Sequence, residues 1–318
     1  MCESINRMVR QPVRLSTSEG VDLANAWVTR LARSVGARAL LIKGAALHRL
    51  QLRQPRASSD VDILVPPEDF VKVCQALIGA GWQERRVSFL LKAAPNHSRS
   101  FIHADWPCDI DVHSHYPGFL ADPSTVFDTL WARAEIERFA AQDCLRPDRP
   151  SSALILALHS LRSAEGFARH RQELSELYKA PFAPAEHAAI GMLAALTASA
   201  EPLDAVLTTL GVDTLPPSIP AGRPIREAWR IQVGLNGSTM GTYRWMQALR
   251  AAPLTQKPTV LWRAIWPTDE DLLLIRPELP QDRRARNAER RHRLWKGITA
   301  LPRVVWSIWV NKTGLKTK

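Results

Sequence analysis

The 318-residue sequence lacks several features that define whole classes of protein. No apolar run reaches the roughly 18 residues of a membrane-spanning helix, so no integral membrane segment is expected. The four cysteines have no C-x-x-C spacing and are too few for a disulfide scaffold, which argues against a zinc or redox motif of that kind. The first basic residues precede no apolar stretch, so we expect no secretory signal and a cytoplasmic location.

Positive charge is concentrated at one end of the chain. Lysine and arginine number 42 against 31 acidic residues, for a net charge of +11. The segment 283–318 contains eleven of the basic residues and one acid, so the rest of the chain is almost neutral. Tryptophans and aliphatic residues are interspersed in the same segment, which permits two interpretations. One is a helix that packs its apolar stripe on the body of the protein, and the other is a surface that contacts RNA, an acidic partner or anionic lipid.

Hydrophobic periodicity separates an α/β part from a helical part. Short apolar or alternating runs predict strands at 39–42, 60–65, 83–91, 99–103 and 108–113. Apolar residues at helical spacing predict helices at 22–35, 45–52 and 67–78, and further along at 123–140, 152–177, 184–198, 226–233 and 243–251. We therefore predict an α/β domain at 1–120, a helical domain at 121–280 and a basic, tryptophan-containing helix at 281–318.

Two aspartates on one predicted strand are the most informative residues. Asp60 and Asp62 are separated by one residue, so on a strand they point to the same side, roughly 6–7 Å apart. Two like charges on one face of a buried strand are unfavourable unless a partner neutralises them. A divalent cation such as Mg²⁺ does so directly, because carboxylate oxygens are its preferred protein ligands.

The surrounding motifs are consistent with phosphate chemistry. Lys43 and Gly44 follow a predicted strand and precede a predicted helix, where a glycine lets backbone N–H groups approach a phosphate and the helix N-terminus favours negative charge. A second strand alternates Asp109, Asp111 and His113 along one face. A third carboxylate on a neighbouring strand would complete a two-metal arrangement for in-line attack on a phosphate.

The combination resembles the nucleotidyltransferase superfamily, whose fold is shared with DNA polymerase beta, and within it the bacterial uncharacterised nucleotidyltransferases. That group shows K-G-x-A-L, an arginine-containing loop, S-D-h-D-h-L-V and a strand ending in h-D-h-H, where h is hydrophobic. The matching segments are Lys43–Leu47, Arg56, Ser59–Val65 and Ile110–His113. Ala45 departs from the superfamily pattern, in which Ser or Gly is usual. The resemblance covers most of residues 38–160 and implies an α/β (α+β) fold, in which a mixed sheet with flanking helices precedes a helical C-terminal domain.

The resemblance also implies roles for individual residues. It implies that Asp60, Asp62 and Asp111 are catalytic and bind Mg²⁺, or Mn²⁺ in its place. Nucleotide binding would involve Lys43, Gly44, Ser59 and Arg56, although Arg56 also fits a solvated charge. The implied reaction moves a nucleoside monophosphate from a nucleoside triphosphate (NTP) to an acceptor hydroxyl and releases pyrophosphate. The acceptor remains open among a small molecule, a peptide, a protein and tRNA, as do the base preference and the oligomeric state.

Alternatives remain at this stage. Ala45 is compatible with a catalytically degenerate nucleotide- or protein-binding module, and the basic tail with an RNA-binding, toxin-like nucleotidyltransferase that acts on tRNA. The histidines near Asp111 also permit a transition-metal hydrolase. Asp109 competes with Asp111 as the third carboxylate. His113 fits an orienting residue, a core residue or a metal ligand, and His159 fits a core residue or the rim of the site.

Overall fold

The computed structural model describes residues 15–93, 97–162, 168–234 and 237–313. The N-terminal part is built around a five-stranded mixed sheet with flanking helices, and the C-terminal part is helical. Among the residues that the structure describes, no helix combines the length and the hydropathy needed to cross a membrane. The fold class is therefore the mixed α+β architecture that the sequence predicts.

The sheet has the order β1-β2-β5-β4-β3. Its strands are β1 (Leu40–Ile42), β2 (Asp60–Leu64), β3 (Gln83–Glu84), β4 (Ser98–Ile102) and β5 (Asp109–His113). The central strands β2 and β5 are parallel, and the other neighbouring strands are antiparallel. The β2–β5 register places Asp60 opposite Asp109 and Asp62 opposite Asp111. Because side chains alternate along a strand, all four acids lie on one face of the sheet.

The other face of the sheet carries the apolar side chains of the same strands. Val61, Ile63 and Ile110 are buried in one core together with residues of α1 (Thr17–Ser34) and α3 (Pro67–Gly79). Helix α1 begins at the Ser16 cap and buries residues at helical spacing, which explains its position across the strands. The acids consequently face away from this core.

A second core covers part of the acid-bearing face. It joins Leu40, Ile42 and Leu64 of the sheet to α5 (Pro123–Trp131), α6 (Arg149–Leu161) and the next four helices. Those four are α7 (Ala168–Leu177), α8 (Pro184–Leu196), α9 (Ala200–Leu210) and α10 (Arg223–Gly234). The chain then continues through α11 (Gly237–Ala251), α12 (Lys257–Ile265), α13 (Asp269–Ile275) and α14 (Arg283–Thr313). Helices α6 and α7 therefore lie near the N-terminal end of β2, where Asp60 is located.

One predicted helix is wrong in its second half. The helix expected at 123–140 ends at Trp131, and β6 (Ala134–Phe139) and β7 (Gln142–Pro147) form an antiparallel hairpin instead. The hairpin packs β7 beside β1 and α1. Its two-residue turn places Ala140 and Ala141 at φ values of 43° and 62°. Such turns normally contain Asn or Gly, so the sequence carries no hairpin signal here.

Other elements are shorter than predicted. The strand expected at 83–91 is limited to β3, and residues Phe89–Ala93 form helix α4. The helix expected at 45–52 is reduced to α2 (Ala46–Arg49). The helix expected at 152–177 is present as α6 and α7, with residues 163–167 outside the described ranges. The domain boundaries at residues 120 and 280 stay predictions.

Candidate active site

Asp62 is the centre of the acid-bearing face. Its side chain is 5% exposed, and its Oδ1 atom lies 2.6 Å from Lys43 Nζ and 2.8 Å from His113 Nε2. Burial alone would raise the pKa of this carboxyl, but the charge of Lys43 and the His113 contact outweigh burial and hold it well below its ordinary value. Asp62 is thus a buried, ionised carboxylate with a partner already in place.

The turn after β1 brings Lys43 to this carboxylate. Lys43 and Gly44 have φ values of 64° and 59°, the left-handed region that glycine adopts freely and lysine rarely does. Burial acts to lower the pKa of Lys43, but the Asp62 carboxylate more than offsets it and the pKa is raised. The sequence predicted that the N-terminus of the helix after Gly44 would favour a phosphate. That helix, α2, is only one turn long and does not provide such a site. Lys43 therefore contacts an acid of the site and at the same time lines the cavity beside it.

Asp111 lies next to Asp62 on the neighbouring parallel strand. Ligand atoms of Asp62, Asp111 and His113 lie within 4.8 Å of one another. Burial and the Asp62 charge raise the pKa of Asp111, although a hydrogen bond from Ser100 on β4 acts in the opposite direction. Two adjacent carboxylates with opposite pKa shifts form a site that a shared cation would stabilise.

The outer pair of acids has a different environment. Asp60 accepts a hydrogen bond from Ser58 at 2.9 Å and lines the cavity together with Ser59. Asp109 forms an ion pair with Arg85. The Asp109 side chain is 35% exposed and the Arg85 side chain is 49% exposed. The structure thus places Asp111, and not Asp109, beside Asp62.

A cavity of about 140 Å³ lies against Asp60 and Asp62. Six of the seven predicted site residues line it, namely Lys43, Gly44, Arg56, Ser59, Asp60 and Asp62. Asp111 lies beside Asp62 on the neighbouring strand and does not line the cavity. His159 of α6 and Arg169 of α7 close the opposite side, so the helical region contributes to the same cavity.

Sequence analysis missed Glu173, which organises the basic side of the cavity. Its Oε1 atom accepts hydrogen bonds from Arg53 at 3.2 Å and from Arg56 at 2.7 Å, and its Oε2 from Ser160 at 3.2 Å. Glu173 lies on α7 beside Leu174 and four residues before Leu177, on the buried side of that helix. The sequence offered one signal for Glu173, which is an acidic residue among the apolar residues that helical spacing places on the buried side of the helix. The arginines that it binds lie more than 110 residues away in sequence.

A group of neutral histidines surrounds the site. Burial and nearby positive charges lower the pKa of His97 and of His159 to about 2 each. Arg162 contributes to both shifts, and its guanidinium lies 3.1 Å from His159 Nδ1. Ligand atoms of His159, His170 and Glu173 also lie within 4.8 Å of one another. However, Glu173 is already paired with two arginines, so this second group is poorly suited to a cation.

Comparison with protein families assigns the class of enzyme, a nucleotidyltransferase. A family model described as uncharacterised nucleotidyltransferase matches residues 23–178, and this part of the chain belongs to that family. The match runs from α1 through α7 and includes every residue of the candidate site described above.

Comparison with solved structures and curated proteins adds two findings. The crystal structure of the lincosamide antibiotic adenylyltransferase LnuA with lincomycin bound is similar at 16% sequence identity and a TM-score of 0.34. The similarity covers 50% of this chain and 96% of that chain. No curated protein matches the sequence.

Proposed function

We propose that this nucleotidyltransferase moves a nucleoside monophosphate from an NTP to an acceptor hydroxyl, with release of pyrophosphate. The observation that carries the proposal is the pairing of Asp62 and Asp111 on adjacent parallel strands beside a cavity lined by Lys43 and Arg56. Such a site combines carboxylates that can bind a cation with basic groups that can bind phosphates.

The acids fit a divalent metal ion. Asp62 and Asp111 are hard oxygen ligands within reach of one another, and burial together with the Asp62 charge raises the pKa of Asp111, so a cation would stabilise the ionised pair. We assign Asp60, Asp62 and Asp111 as the residues that would hold Mg²⁺, or Mn²⁺ in its place. When bound, the metal would neutralise phosphate charge and favour ionisation of the acceptor hydroxyl.

The basic side of the cavity binds the triphosphate in this proposal. Lys43 and Arg56 both line the cavity, and Arg56 is held by Glu173 at 2.7 Å. A guanidinium fixed in this way suits the negative charge of a pyrophosphate leaving group. Gly44 and Ser59 line the same space and would offer a backbone N–H and a hydroxyl to phosphate oxygens.

The proposed reaction forms one phosphorus–oxygen bond and breaks another. The acceptor oxygen forms a bond to the α-phosphorus, and the bond between the α-phosphorus and its bridging oxygen breaks, so pyrophosphate leaves. The acceptor's proton passes to a carboxylate of the site, and Asp62 is poorly suited to accept it because Lys43 and His113 lower its pKa. Positioning and charge neutralisation supply most of the catalysis.

The test uses the full chain with NTPs labelled at the α-phosphate, Mg²⁺ and a cell lysate as the source of acceptors. We expect label transfer and stoichiometric pyrophosphate, both dependent on the metal. Asp62→Asn should abolish transfer, and Asp109→Asn should leave it nearly unchanged. Transfer that survives Asp62→Asn would contradict the proposal, and so would NTP binding without pyrophosphate release across many acceptors.

A further inference from the structure

Helix α14 (Arg283–Thr313) carries a surface that nucleotidyl transfer does not use. Its buried side includes Ala300 and Val304, and the helix packs on α10, α11 and α12. Elsewhere on the helix, large apolar side chains lie in solvent, including Trp295 at 66% and Trp306 at 59% exposure. Soluble protein surfaces rarely concentrate such side chains without a function.

The exposed apolar residues form one strip. At 3.6 residues per turn, six of them fall within an arc of about 140° on the side away from Ala300 and Val304. The six are Trp295, Ile298, Leu301, Val305, Trp306 and Trp309, and all are more than 40% exposed. We call these six residues the apolar strip. It runs from Trp295 to Trp309 and does not extend back to the first turns of α14.

Basic residues accompany the strip. Lys296 and Arg303 are exposed along one edge of it, and Arg283, Arg284 and Arg291 are exposed in the N-terminal half of the helix. The acids nearby are already paired, because Asp269 binds two arginines of α14 and Glu289 of α14 binds Arg276 at 2.8 Å. The exposed surface of the helix is therefore positive as well as apolar.

We propose that the apolar strip docks on the surface of an anionic lipid membrane, with α14 lying in the interface. Tryptophan favours the boundary between headgroups and acyl chains, and aliphatic side chains gain by leaving water there. Each exposed Lys or Arg near an anionic leaflet adds electrostatic attraction. No described helix can span a bilayer, which leaves an in-plane orientation for α14.

Charge and pattern favour a membrane over other occupants. A second copy of the chain would bring two positive helices together, which is electrostatically unfavourable. An RNA surface would use basic groups spread among the stacking aromatics, whereas in α14 most exposed basic residues precede the strip along the helix. An interfacial helix has this combination of an apolar face and positive flanks.

The experiment measures binding of the full chain to phosphatidylcholine vesicles with and without phosphatidylglycerol. We expect co-sedimentation and a blue shift of tryptophan emission with the anionic vesicles only. The double variant Trp295→Ser/Trp306→Ser should weaken binding by about tenfold or more, because two indoles no longer leave water. Lys296→Glu/Arg303→Glu should weaken binding to anionic vesicles while circular dichroism stays unchanged.

Trp262→Ser is the matched control. Trp262 is 61% exposed on α12, outside the apolar strip, so its replacement should leave vesicle binding unchanged. Absence of vesicle binding, or binding unaffected by both double variants, would overturn the proposal. It would also be overturned by a larger loss with Trp262→Ser, by an RNA oligonucleotide that binds more tightly than the vesicles, or by a dimer that depends on Trp295 and Trp306.

Discussion

The two pairs of aspartates on β2 and β5 have the same residue types, spacing and sheet face, yet their environments differ. The inner pair, Asp62 and Asp111, lies within reach of His113, and Lys43 contacts Asp62 at 2.6 Å. The outer pair, Asp60 and Asp109, lies at the start of the strands, where Asp109 is engaged by the exposed Arg85. A step of two residues along a strand thus separates a pair with one buried member, Asp62, and shifted pKa values from a pair with two partly exposed members.

This contrast has a physical cause. The inner pair lies deeper in the sheet, where burial strengthens the interaction of each charge with its neighbours. Burial and the neighbouring carboxylate raise the pKa of Asp111, whereas Lys43 and His113 lower that of Asp62 despite its burial. Adjacent acids with opposite shifts provide different chemical roles from identical side chains. The predictions below test this difference between the two pairs.

Asp62→Asn should have the largest effect. We expect nucleotidyl transfer to fall by about 1000-fold or more, because the site loses its central charge. The substitution also leaves Lys43 as a buried ammonium without its carboxylate, which should lower the free energy of unfolding by roughly 2–4 kcal/mol. Transfer assays and urea unfolding measure both quantities. A fully active and equally stable variant would show that Asp62 is not the centre of the site.

Asp111→Asn should separate activity from stability. We expect a loss of transfer of about 100-fold or more, since one acid of the inner pair is gone. The free energy of unfolding should stay unchanged or rise, because the raised pKa of Asp111 means that its ionised form is disfavoured in the folded protein. A destabilisation equal to that of Asp62→Asn would contradict the assigned asymmetry within the inner pair.

Two histidines near the site, His97 and His159, should make the protein sensitive to mild acid. The pKa values of His97 and His159 are lowered from 6.5 to about 2, so the unfolded chain binds protons that the folded chain does not. Stability should therefore be greatest above about pH 6.5 and fall as the pH decreases, by up to about 1.4 kcal/mol per pH unit for each histidine. The raised pKa of Asp111 offsets part of this loss.

Urea unfolding between pH 7.5 and about pH 5 measures this dependence, with each pH chosen above the range in which ordinary carboxyls titrate. His159→Gln should reduce the slope. His48→Gln is the matched control, because His48 is exposed and its replacement should leave the slope unchanged. A stability that does not vary over this range would show that the histidines are not held neutral by the fold.

Asp109→Asn should have the smallest effect. Its ion pair with Arg85 lies at the start of β5, where both side chains are partly exposed and such pairs contribute about 0–1 kcal/mol. We expect transfer within about twofold of the unmodified enzyme and a change in unfolding free energy below about 1 kcal/mol. If Asp109→Asn abolished transfer while Asp111→Asn did not, the roles of the inner and outer pairs on β5 would be reversed.

Local patterns were sufficient for several elements. The alternation around Asp60 and Asp62 predicted β2, and the helical spacing before Val35 predicted α1. The hairpin of β6 and β7 was not predictable in this way, because Ala140 and Ala141 adopt positive φ without the Asn or Gly that marks such a turn. The local sequence does not favour this turn conformation, and the turn occurs in a hairpin whose strand β7 packs beside β1 and α1.

Local sequence was enough to predict which acids share a strand and where the Lys43–Gly44 turn falls, because side-chain direction along a strand and the freedom of glycine are local properties. The remaining features of the site depend on contacts between distant segments. The tertiary structure paired β2 with β5 in register, brought Asp111 beside Asp62, and placed Glu173 against arginines more than 110 residues away. Strand order and helix packing depend on burial of surfaces that are distant in the chain, and no local pattern encodes those distances.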